Sequence, residues 1–82
     1  MVLKHIVASE KATTLIDKEN KLTFVVDINA NKKQIKEEVE RRFGVGVRSV
    51  RTMITPKGEK KAIVQFEEEG KAREIATQLG IL

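Results

Sequence analysis

Between residues 44 and 63 the chain carries Arg48, Arg51, Lys57, Lys60 and Lys61 against one carboxylate, Glu59. Cations gathered with so few acids suit the neutralisation of phosphates, which releases condensed counterions and needs no other chemistry. The whole chain has a net charge of +4, so this stretch alone holds as much positive excess as the molecule. Glu67, Glu68, Glu69 and Glu74 follow it, which implies a sided molecule with one end fit for polyanions. Lysines on exposed hairpins also discourage edge pairing between chains, the plainer reading of the same residues.

Lys32 and Lys33 form a second candidate, because they precede any acid in their segment and fall at an expected helix start, where free N–H groups and the dipole favour a phosphate. Further along that segment the acids interleave with the bases. Lys33 with Glu37, Lys36 with Glu40, Glu37 with Arg41 and Glu38 with Arg42 are spaced for pairing across one helical turn, which predicts a solvated, charge-paired face.

Catalytic chemistry finds little support. His5 is the one imidazole, and no Ser, Cys or metal-ligand set stands near it. The absence of cysteine, together with the single histidine, removes disulfides, thiol catalysis and zinc sites. Asp17 with Glu19, and Glu67 to Glu69, supply neighbouring carboxylates in hydrophilic surroundings that offer no means of shifting a pKa. Gly44-Val45-Gly46 follows an expected helix, whereas a phosphate loop follows a strand and opens a helix. The three phenylalanines, Phe24, Phe43 and Phe66, all fall at apolar-face positions. None is then left to stack splayed bases, which favours recognition of RNA shape and backbone over single-strand reading.

The elements that must hold these residues follow from periodicity. Leu22, Phe24, Val26 and Ile28 alternate with Lys21, Thr23, Val25 and Asp27, predicting a strand over 21–28 with one well-buried face. Further strands are expected over 3–7, 47–54 and 60–67, the last two joined by a tight hairpin at Thr55-Pro56-Lys57-Gly58-Glu59. Ser9 caps a first helix with Ala12, Leu15 and Ile16 inward, and Asn20 ends it. Asn31 with Gln34 forms a capping-box variant for a second helix, whose Ile35, Val39 and Phe43 recur until Gly44 stops it. Ala72, Ile75, Ala76 and Leu79 give a third helix. The order is β-α-β-α-β-β-α, an α+β fold with a mostly antiparallel sheet.

Length and composition agree with one small domain over residues 1–82. Hydrophobic residues at 40% and charged residues at 34% belong to globular chains. No apolar run approaches a membrane span, and the first residues lack the pattern of a secretory signal, so a cytoplasmic location is expected.

Four segments, in order and spacing, resemble the universal large-subunit ribosomal protein L twenty-three family in its archaeal form: Ser9-Glu10-Lys11-Ala12, Asn31-Lys32-Lys33-Gln34-Ile35-Lys36, Val50-Arg51-Thr52-Met53-Ile54, and Gly58-Glu59-Lys60-Lys61-Ala62-Ile63-Val64. The resemblance implies a non-catalytic ribosomal component that binds large-subunit rRNA beside the nascent-chain exit tunnel. It implies ribosomal protein L twenty-nine as a neighbour, and the signal recognition particle as a docking partner through Glu10. No cofactor is implied. Bacterial members carry a long loop between the last two strands, where Thr55 to Glu59 here closes at once. Gly46 and Gln65 stand where the family often has a basic residue, and Phe66 where leucine is usual. On this reading Lys32, Lys33, Arg48, Arg51, Lys57, Lys60 and Lys61 contact rRNA phosphates.

Two other readings frame this one. A stand-alone protein-docking platform would rest on Glu10 and its helix more than on the basic hairpin. An acylphosphatase-like enzyme would need a phosphate-cradling loop with an arginine before a helix, and no such loop precedes Asn29 or Asn31.

Overall fold

Each helix starts where a side chain can take up one of the N–H groups that a helix leaves unbonded. In the computed structural model, which describes residues 1–82, Ser9 Oγ accepts from the Ala12 N–H at 3.2 Å and opens α1 (Glu10–Glu19). Asn31 and Gln34 exchange bonds of 2.8 and 3.0 Å in a full capping box at the start of α2 (Lys32–Phe43), which Gly44 ends in the left-handed region at φ 63°. The third helix, α3 (Lys71–Gln78), has no cap of its own. Its Ala72 N–H donates instead to Asn20 Oδ1 at 2.9 Å, from 52 residues earlier in the chain.

Four strands complete the order expected from sequence: β1 (Leu3–Ile6), β2 (Lys21–Val26), β3 (Val47–Ile54) and β4 (Lys60–Phe66). They form one sheet in the order β1-β2-β4-β3, with every pairing antiparallel. Leu22, Phe24 and Val26 of β2 share a face with Ala62, Val64 and Phe66 of β4, and this face meets Ile35 and Val39 of α2 and Ala72, Ile75 and Ala76 of α3 in the core. Phe24 stacks on Phe43 with ring centroids 6.2 Å apart, and Phe66 is buried. All three phenylalanines therefore pack with the core. The shortest extent of the molecule, 19 Å, is that of two layers and not three. The opposite face of the sheet is met by α1 alone, which packs against β2 with Ala12 and Leu15 beside Thr23 and sends Ile16 into the core, so the β3 side of this face has no helix over it.

Two expectations need correction. The second strand ends at Val26, and Ile28 is 49% exposed where alternation placed it inside. The reason is a turn that opens at Asp27, whose Oδ1 accepts from the Asn29 N–H at 2.8 Å while its carbonyl accepts from Ala30. Nor is β2 buried on one face alone. Thr23 and Val25 point to the other side and are buried too, because α1 packs against β2 there, with Ala12 and Leu15 beside Thr23. No helix is long and apolar enough to cross a membrane.

The hairpin between β3 and β4 closes as its residues dictate. The Thr55 N–H donates to Glu59 O and the Gly58 N–H to Thr55 O, both at 2.8 Å, with Gly58 at φ 86°, a conformation that costs a side-chain-bearing residue about 1 kcal/mol or more.

Asn20 joins three elements at the other end of the sheet. It sits in the left-handed region at φ 56°, and its Nδ2 donates to Phe66 O at 3.2 Å and Glu68 O at 2.8 Å while Oδ1 holds Ala72. Replacing Asn20 with alanine removes all three side-chain bonds and keeps the backbone strain, so urea denaturation should show a loss of about 2–4 kcal/mol. Asn20→Gly, which loses the same bonds but relieves the strain, should lose less. Equal stability of the alanine variant and the parent would contradict this account.

Candidate functional site

Strand alternation divides the candidate cations between two faces. Arg51 pairs across β3 and β4 with Ile63, and Met53 with Lys61, so Arg51 and Lys61 are diagonal neighbours on the face turned away from α2 and α3, at about 7–8 Å by strand geometry. Lys60 points the other way. Its Nζ donates to Ala30 O at 2.6 Å, which clamps the turn that leads into α2, two residues before Lys32. An ammonium has three donors, so two remain for another acceptor. Lys57 is exposed at the hairpin tip. The hairpin end thus gathers Lys57 and Lys61 with Arg51 on one side, and Lys60 towards Lys32 and Lys33 on the other.

Arg48 is not brought into this group. It lies in the irregularity between Val47 and Ser49, at the far end of β3, about 20 Å along the strand from Ile54. There it lines a cleft of about 550 Å³ with Asp17, Glu67, Glu69 and Arg73, a mixed-charge setting unlike the hairpin's. Sequence distance alone had placed it with the others.

The charge-paired face expected for α2 forms only in part. Of the four spaced pairs, Glu38–Arg42 alone is made, at 3.0 Å, and Arg41 joins the same carboxylate from three residues away. Glu40 is used elsewhere: its Oε2 accepts from the Val47 N–H at 3.0 Å and fixes the start of β3. Lys33 and Lys36 are left without an acid. Every ion pair of the molecule uses Lys21, Arg41, Arg42, Lys71 or Arg73. Lys32, Lys33, Arg48, Arg51, Lys57, Lys60 and Lys61 have no carboxylate within ion-pair distance.

The two acids with perturbed titration belong to paired positions. The hydrogen bond from Lys21, followed by the Lys21 charge, holds Glu19 below the usual carboxylate range, with Arg51 and Lys18 adding to it. The bond from Arg41 does the same for Glu38. Neither lies among neighbours that would make it a proton donor at neutral pH. His5 is exposed on β1, and no group of acids and histidine is placed to hold a metal ion.

Gln65 and Gly46 have structural work of their own. Gln65 accepts from Ser49 Oγ and donates to Glu19 O, both at 3.3 Å, linking β3 to the end of α1. A Cβ at position 46 would come within 2.1 Å of Glu67 Oε1, so a side chain there displaces that flexible carboxylate. Glu10 stands exposed in the first turn of α1 and makes no ion pair. Sequence reasoning passed over Lys11, Leu15, Met53 and Ile63, which line one cleft with Lys61; the strand parity of Met53, Lys61 and Ile63 was the signal that could have found it.

The family model described as Ribosomal protein L23 matches residues 1–75 of the chain. The chain is also 52% identical over 81 residues to the large ribosomal subunit protein uL23 of Pyrobaculum aerophilum, a match that takes in 99% of this chain and 100% of the relative.

The opposite orientations of Lys60 and Lys61 have a thermodynamic consequence. Lys60→Ala should lower stability by about 1–2 kcal/mol in chemical denaturation, because the Ala30 carbonyl loses a charged donor. Lys61→Ala should stay within about 0.5 kcal/mol of the parent, as its ammonium has no protein partner. Equal losses in the two variants would show that the Ala30 bond contributes nothing.

Proposed function

Because the chain belongs to the ribosomal protein L23 family, whose members are structural proteins of the large ribosomal subunit and not enzymes, we propose that it binds large-subunit rRNA beside the polypeptide exit tunnel. The observation that carries this reading is the set of cations without partners. Lys32, Lys33, Arg51, Lys57, Lys60 and Lys61 meet no carboxylate, and lie on the two sides of one end of the sheet. Each can give its charge to a phosphate without breaking an internal pair. Arg48, at the far end of β3, engages a separate stretch of the RNA. Residues 1–82 act together as one RNA-binding domain, and the protein works on the ribosome in the cytoplasm.

The rigid backbone beneath these side chains is what makes them useful. β4 is hydrogen-bonded on both edges, to β2 and to β3, so Lys60 and Lys61 move only through their own rotamers. Phosphate contacts of this kind set register on folded RNA and carry little sequence information. The short turn from Thr55 to Glu59 keeps the protein at the RNA surface and gives it no arm long enough to enter the tunnel.

A docking role accompanies RNA binding in this reading. The Glu10 carboxylate stands free at the start of α1, and in this reading it meets the signal recognition particle, with ribosomal protein L twenty-nine lying alongside.

Two measurements test these roles separately. Binding to a large-subunit rRNA transcript should weaken with salt along a log–log slope of about −5 to −6 for the seven proposed phosphate contacts; a flat response would exclude phosphate neutralisation. Glu10→Lys should abolish signal recognition particle binding to the ribosome while rRNA affinity is kept. Undiminished particle binding by that variant would reject the docking role.

A further inference from the structure

On the premise that the chain binds large-subunit rRNA, we propose that the cleft between α1 and the face of the sheet turned away from α2 and α3 receives the sugar or base of one unpaired nucleotide, with Arg51 and Lys61 holding the adjoining phosphates. The register places three rows of side chains on this face: Ser49, Gln65 and Lys21; Arg51, Ile63 and Thr23; Met53, Lys61, Val25 and His5. None is an acid. The carboxylate at the corner, Glu19, is already bound to Lys21 at 2.7 Å. A polyanion therefore meets no repulsion from the sheet itself.

Within this face lies a cleft of about 160 Å³ whose walls include Val7, Leu15, Met53 and Ile63, with Lys11 and Lys61 at its polar edge. The combination is specific. Phosphate contacts alone require cations and no apolar hollow, and a protein-docking groove requires more apolar surface and less charge. A nucleotide offers both parts at once, an apolar ring or ribose face joined to a charged phosphate. A base inside a duplex is stacked and out of reach of a side-chain cleft, whereas loops and bulges present theirs. Since Phe24, Phe43 and Phe66 pack with the core, the contact is made by aliphatic and thioether groups. Met53, 40% exposed and unbranched, can follow the shape of whatever enters.

Charge admits any polyanion, and the position of the cleft favours RNA over an acidic polypeptide. Arg51 and Lys61 stand on the same surface that leads to Lys57 at the hairpin tip, so the cleft continues the proposed phosphate track. Three of the segments that carry the family likeness meet here as well, through Lys11, Met53 and Lys61.

The test compares a large-subunit rRNA transcript with a blunt, fully paired RNA duplex across a range of salt concentrations, using the full chain and two variants. Met53→Ser should bind the transcript about fivefold more weakly at every salt concentration, with the slope and the duplex affinity unchanged, because only an apolar contact is lost. Arg51→Ala should reduce the steepness of the transcript slope by about one. Transcript binding by Met53→Ser equal to that of the parent, or an equal weakening on transcript and duplex, would overturn the nucleotide assignment while leaving rRNA binding intact. Displacement of the transcript by polyglutamate at matched charge concentration would assign the cleft to an acidic polypeptide instead. No salt dependence in the parent chain would remove the rRNA reading itself. Unchanged thermal melting of Met53→Ser, expected for a half-exposed side chain, completes the prediction.

Discussion

Three helices cannot cover both faces of a four-stranded sheet, and the rest of this molecule follows from how that shortage is met. Helices α2 and α3 take one face and α1 only part of the other, so the main core lies to one side. The inner strands β2 and β4 must still tolerate the uncovered side. They do so with Thr23 and Val25 buried by their neighbours and with Lys61 and Gln65 carrying polar ends over apolar stems. A surface that would otherwise be a defect becomes firm, cationic and free of acids.

The charges divide by the same logic. Three acids of the helices are spent within the protein: Glu40 on the start of β3, Glu38 on two arginines, Asp17 on Arg73 of α3 at 2.8 Å. The cations near the hairpin have no such employment, apart from the single bond by which Lys60 fixes the entry to α2. Exposed pairs contribute little to stability in water, so leaving these cations unpaired costs the fold little. The gain is a set of charges whose counterions are free to be exchanged for phosphates.

Local signals carried most of the architecture. Ser9, Asn20, Asn31, Gln34, Gly44 and Gly58 each act within a few residues, and the structure uses every one as its side chain or backbone freedom requires. Long-range consequences were less legible. Nothing near Asn20 in sequence announces that it also caps α3, and the end of β2 depended on Asp27 bonding to its own turn. Spacing suggested four helix pairs because it takes no account of competing partners such as the Val47 N–H. The basic stretch read as one cluster, yet the length of β3 carries Arg48 away from the hairpin and strand parity turns Lys60 from Lys61. Parity was available in the sequence; which face would stay uncovered depended on how the helices pack.

The central claim is that the unpaired cations at the hairpin end meet RNA, whereas lysines away from it such as Lys18 and Lys71 do not. Lysine acetylation read by mass spectrometry, with and without a large-subunit rRNA transcript, tests this residue by residue. Lys32, Lys33, Lys57 and Lys61 are predicted to become protected, while Lys18 and Lys71 react at the same rate in both states. Protection spread evenly over all lysines, or confined to Lys18 and Lys71, would contradict the account.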